Sequence, residues 1–213
     1  MAGYFLSTLD RAKFEQLITN PSDEQATLLA EAFLEELEDF LEDVEEESDR
    51  ELWPTDEEGL AAFIKKRLAM PDWYSDLSLD NALVWDRLHD LFFDEPGEEI
   101  GLDPQMSDYE SIYWDCAEIA AAQGASLMAE PKFGNSGFRY HGKPSDGGVY
   151  PMYSVFAGEE LSELATQVKS VESHFATLEE GEDTPREMFF ECLLPMVTGA
   201  VENDRVLWVQ TDT

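Results

Sequence analysis

The segment LDNALVWDRLHDLFFDEPG, Leu79 to Gly97, sets one short amphipathic helix near the centre of the chain. At about 100° per residue, Val84, Trp85, Leu88, Leu91 and Phe92 fall within one arc, with His89 at its edge beside Trp85 and Phe93. Asp86 and Asp90 point the other way. A helix with one apolar face has to be covered, so Trp85 and Leu88 read as anchors in a core that other elements complete.

Upstream, Gly3 to Leu6 (GYFL) is expected to be a first strand, followed by a helix capped by Thr8 or Asp10 and running through Ile18. After the Asn20-Pro21 break, Ser22 and Gln25 form a capping box for a long helix with Ala26, Leu29, Phe33, Leu37, Phe40, Leu41 and Val44 inward. Thr55 and Glu58 form another, ahead of Leu60, Phe63, Ile64 and Leu68. Downstream, Ser107 and Glu110 open a helix with Cys116, Ile119 and Ala120 on one side, which Gly124 ends. Ala125 to Glu130, Phe138 to His141 and Val149 to Phe156 read as strands, with Gly134 to Gly137 (GNSG) as a turn.

Gly158 begins a helix with Leu161, Leu164, Val168, Val171 and Phe175 inward. Thr184-Pro185-Arg186-Glu187 joins a cap, a proline at the first helical position and a capping-box glutamate. The helix it opens is apolar on all sides and should be buried, with Pro195 kinking it. Asn203-Asp204 turns into a last strand, Arg205 to Gln210 (RVLWVQ). Strands that neither alternate regularly with helices nor stand apart from them predict an α+β fold. It would have a small antiparallel or mixed sheet of about 4–5 strands packed with about 6–7 helices. One domain over 1–213 suits the length, with 98–149, a helix plus a hairpin, set apart as an insertion.

Charge bounds the partners. The chain carries 48 Asp and Glu against 13 Lys and Arg, a formal net charge of −35. A field of that sign repels phosphate backbones and anionic lipid, which argues against nucleic-acid or membrane binding and for a basic protein partner. Glu35 to Glu51 concentrates it, with 11 acidic residues among 17. Glu35, Glu36, Glu38, Asp39, Glu42, Asp43, Glu45, Glu46 and Glu47 are therefore the candidate binding residues. Adaptation to high salt is the other account of the global acidity.

Cys116 and Cys192 sit among apolar neighbours, at no metal-type spacing, and should be buried thiols. MAGYFLSTLDRAK lacks the pattern of a secretory leader, and Met188 to Val201 is too short to span a bilayer and contains Glu191 and Pro195, so the expected location is cytoplasmic.

The search for chemistry yields two histidines. His89, beside Trp85, could serve as a general base if a carboxylate orients it, and His141 ends a strand beside a glycine-rich loop, where sites gather. Neither lies at ligand spacing from another histidine, so no metal is expected. The Gly134 to Gly148 loop has neither GxxxxGK[ST] nor GxGxxG, and Phe138 stands where a GxSxG elbow around Ser136 needs glycine. No cofactor is expected, and hairpin turns account for those glycines.

Four runs resemble the YfbM-like family of bacterial proteins, small α+β domains of unknown function: Gly3-Tyr4-Phe5, Trp85-Asp86-Arg87-Leu88-His89, Tyr153 to Leu164 (YSVFAGEELSEL) and Ala200 to Leu207. The segment from Glu98 to Val149 departs from that pattern. The resemblance implies the fold class and carries over no catalytic residue. The expected function is thus a non-enzymatic interaction module, immunity- or inhibitor-like, that binds a basic protein through its acidic face. The rival is a small-molecule hydrolase or binding protein with a pocket near His89 and His141.

Overall fold

A computed structural model describes residues 3–31, 34, 54, 56–70, 92, 101–106, 113–129, 139–140, 143–144 and 152–212. They fall into two compact units, one holding residues 3–11 and 104–212, the other residues 12–70, 92 and 101–103. The fold is α+β with an antiparallel four-stranded sheet.

The first unit is built on strand β1 (Gly3–Asp10) and strand β6 (Arg205–Asp212), which pair antiparallel from Gly3↔Asp212 to Asp10↔Arg205. Strand β2 (Gln105–Met106) adds to β1, and β5 (Met152–Phe156) adds to the other side of β6, giving the order β2-β1-β6-β5. A separate two-stranded ladder joins β3 (Arg139–Tyr140) to β4 (Lys143–Pro144). β1 extends past the expected Leu6 and absorbs Thr8, because the full-length ladder with β6 satisfies backbone groups that a cap would leave to one side chain. β2 and β4 both fall in segments read as loops from sequence, being two residues long and without alternation. Both faces of β6 are covered: Leu207 and Val209 join the core cluster with Leu6 and Phe156, while Val206 and Trp208, on the opposite face by strand alternation, are also buried. That is why VLWV, Val206 to Val209, reads as a continuous apolar run.

Helix α5 (Gly158–Phe175) lays Leu161, Leu164, Ala165, Val168, Val171 and Phe175 into this core, as its spacing predicts. Helix α3 (Tyr113–Ala122) contributes Cys116, Ala117 and Ala120, and its end is a Schellman motif: Ala125 N–H bonds the Ala120 carbonyl at 3.0 Å and Gly124 N–H that of Ala121 at 2.9 Å. Gly124 sits at φ +94°, the left-handed conformation that such a cap requires. The expected strand from Ala125 is instead a helical turn, α4 (Ser126–Ala129). The buried residues are Ala125 and Met128, three apart, so the segment meets the core with a helical period rather than a strand's. Gln167 on α5 fixes it by accepting from Leu127 N–H at 2.8 Å.

Helix α6 (Pro185–Met188) starts as predicted, Thr184 Oγ1 accepting from Glu187 N–H at 3.3 Å, although the Glu187 carboxylate returns to Asp183 N–H at 2.7 Å rather than to Thr184. It runs through a π-turn, Phe189–Leu193, into helix α7 (Leu194–Glu202). Pro195 therefore does not interrupt the helix. The wider turn, closed by Leu194 N–H on the Phe189 carbonyl, comes just before the residue that cannot donate, and so accommodates the ring. Nor is the helix buried all round: Val197 and Ala200 face the core, whereas Pro195, Val201 and Glu202 are exposed. Phe189 stacks on Phe175 with centroids 3.9 Å apart. Cys116 and Cys192 are both buried, as expected, and form no disulfide.

In the second unit, helix α1 (Arg11–Thr19) buries Phe14, Leu17 and Ile18, and residues 23–31 are helical. The predicted capping box is present, with Gln25 N–H on Ser22 Oγ at 3.1 Å and Ser22 N–H on Gln25 Oε1 at 2.9 Å. Helix α2 (Glu57–Leu68) is capped not by Thr55 but by Asp56, whose Oδ1 accepts from Gly59 N–H at 2.9 Å. A carboxylate caps as well as a hydroxyl and adds charge at the positive end of the dipole, which Glu57 and Glu58 reinforce. Lys65 on α2 pairs with Asp23, tying the 23–31 helix to it. Phe92, helical and fully buried, meets Phe14 edge to face at 5.7 Å.

Candidate functional site

Arg205 is the only charged side chain buried among the described residues, at 8% exposed. It opens β6 opposite Asp10 and stands on the same face of the sheet as Leu207 and Val209, under α7. Thr8 of β1 lies on that face too and satisfies it: Arg205 Nε donates to Thr8 Oγ1 at 2.9 Å and Nη2 to the Thr8 carbonyl at 3.1 Å. Burying a guanidinium is costly without such partners. Here they also fix its plane.

A second arginine converges on the same place. Arg11, the first residue after β1, donates from Nη1 to Asp204 Oδ1 at 3.0 Å. Asp204 sits at φ +49° in the turn that brings α7 into β6, an αL position that aspartate tolerates. Facing them is the start of α5, where Gly158 takes φ +56° and a Cβ would stand 3.4 Å from Arg11 Nη2. Glycine therefore serves twice, permitting the left-handed backbone and leaving room for the guanidinium. No side chain caps α5, since its N-cap is Ala157.

Between these groups lies a cavity of about 460 Å³, within the first unit. Its polar wall is Arg11, Gly158, Glu159, Ser162, Asp204 and Arg205, and its apolar wall Leu161, Ala200 and Val201. A smaller cavity of about 220 Å³, bounded by Thr8, Gln105, Met196, Gly199 and Asn203, also touches Arg205. The larger one is of ligand-pocket size. Among the described residues its lining offers two guanidinium groups, two carboxylates and a hydroxyl, with no imidazole or thiol. Ser162 Oγ donates back to the Gly158 carbonyl at 3.0 Å, a local helix bond rather than an activated nucleophile. The chemistry on offer is recognition by charge and hydrogen bond.

His89, His141 and the acidic run Glu35, Glu36, Glu38, Asp39, Glu42, Asp43, Glu45, Glu46 and Glu47 lie outside the described residues. His174 is half-buried on α5, with its ring edge-on to Phe175 at 6.3 Å. No group of three His, Cys, Asp or Glu side chains among the described residues is placed to hold a metal ion. Nor, among them, is any helix long and apolar enough to cross a membrane. The residues of the cavity were legible in sequence only as a turn, Asn203-Asp204, and a helix start, Gly158. What joins them is the pairing of chain segments 193 positions apart, Arg11 with Asp204, which no local pattern encodes. The chain matches no family model, no curated protein and no solved structure.

Proposed function

We propose that this protein is a non-enzymatic interaction module that engages a basic protein through its acidic surface, in the manner of an inhibitor or immunity protein. The observation that carries the reading is the net charge of −35, with 11 acids among the 17 residues from Glu35 to Glu51. The exposure of described acids supports it: Glu24, Glu31, Glu57, Glu118, Glu163, Glu172, Glu179 and Glu180 all face solvent. Such a surface steers a cationic partner and loses affinity as salt screens it. Kinship with the YfbM-like family, on Gly3-Tyr4-Phe5 and Trp85 to His89, belongs to the same proposal, as does a cytoplasmic location.

The test is capture by the purified chain at low salt. A partner rich in lysine and arginine should be retained, released as salt rises, and lost when Glu35, Glu36, Glu38 and Asp39 are changed together to Gln and Asn. Retention that ignores salt, or survives the neutralised variant, overturns the reading.

A further inference from the structure

The cavity between β1, α5 and α7 has a charge pattern that the acidic surface does not explain. In a chain with 48 acids and 13 basic residues, two arginines, Arg11 and Arg205, line one pocket, and two carboxylates, Glu159 and Asp204, line it with them. Arg205 is held in place by Thr8 at 2.9 and 3.1 Å before any ligand arrives, while Arg11 pairs with the exposed Asp204 at 3.0 Å. The pocket is lined on its apolar side by Leu161, Ala200 and Val201.

Long-range and short-range electrostatics select different ligands, and only one class satisfies both. A simple anion would meet the guanidinium groups favourably but must approach a molecule of charge −35. A simple cation is drawn by that field but is repelled on arrival by two guanidinium groups. A zwitterion crosses the field without net cost and can set its carboxylate against the arginines and its ammonium against the carboxylates. Charge-assisted hydrogen bonds of this kind are the stronger ones in protein recognition.

We infer that the Arg11–Arg205 cavity binds a small zwitterion of the α-amino-acid class with an apolar side chain. The carboxylate lies toward Arg11 and Arg205, the ammonium toward Glu159, and the side chain against Leu161 and Val201. A volume of about 460 Å³ admits such a molecule with its side chain. The inference is independent of any partner on the acidic surface.

Calorimetry or NMR titration of the full chain with L-leucine, 4-methylpentanoate and 3-methylbutylamine, at matched ionic strength, tests it. L-leucine should bind about tenfold or more tightly than either half-ligand, since each lacks one charge-assisted contact. Arg11→Gln should weaken leucine by about tenfold or more, and Val201→Trp, at an exposed position, should block it by filling the cavity while leaving the circular dichroism unchanged. Equal binding of leucine and 4-methylpentanoate would make the site a plain anion site and overturn the zwitterion. No leucine binding up to about 10 mM, or binding indifferent to both variants, would remove the site.

Discussion

Arg205 and Thr8 show how one buried charge is kept at the end of a strand. Thr8→Val preserves shape and removes the hydroxyl that accepts from Arg205 Nε, so it should cost about 1–3 kcal/mol, read from urea unfolding. Its neighbour Ser7 presents the opposite case: the side chain is fully buried and Oγ has no hydrogen-bond partner. Ser7→Ala should therefore raise stability, by about 1 kcal/mol, in the same experiment. At the surface, the Lys65 ammonium beside Asp23 holds that carboxyl below its ordinary value of 3.8. A depressed carboxylate stabilises the fold above the ordinary pKa and loses that contribution as pH falls through the lower, folded value. Lys65→Gln should return the Asp23 titration to near 3.8, followed by NMR, and added salt should do part of the same because both groups are exposed.

The helix from Pro185 to Glu202 carries its extra residue where Pro195 needs it. One additional residue in a turn rotates everything after it by about 100°, so the π-turn also decides that Val197 and Ala200, rather than their neighbours, reach the core. Deleting exposed Glu191 alone should force a regular turn onto Pro195 and cost about 3 kcal/mol. The same deletion combined with Pro195→Ala should recover most of that loss, a coupling that a double-mutant cycle in urea measures. Sequence reading located this helix start, the Ser22 box, the Gly124 cap and the buried face of α5, because each is written within one or two turns of chain. It misjudged Ala125 to Glu130, where a single helical turn and a short strand present equally few apolar positions. It also overlooked β2 and the Arg11–Asp204 cavity, which exist only through partners distant in sequence.

At the scale of the molecule, a charge of −35 works against compactness as well as toward basic partners. Screening should accordingly stabilise the chain: thermal unfolding followed by circular dichroism is expected at higher temperature in about 0.5 M NaCl than in about 0.02 M, where the screening length falls from roughly 20 Å to below 5 Å. A melting temperature that falls with salt would place the balance of stability in ion pairs such as Lys65–Asp23 instead.

The ladder between β1 and β6 has a temporal side. Thr8 and Arg205 are 197 positions apart, and at roughly 5–20 residues per second β1 waits roughly 10–40 s during translation for its main partner. Until then the first strand is a nascent segment with open backbone donors and an apolar residue for each face, Leu6 on one and Leu9 on the other, the kind of surface that chaperones shield and that captures other unfinished chains. A chain halted before Arg205 should scatter light within minutes of its release, while the full chain stays clear. Stalled ribosomes or premature stop codons would then do harm out of proportion to the few residues they withhold.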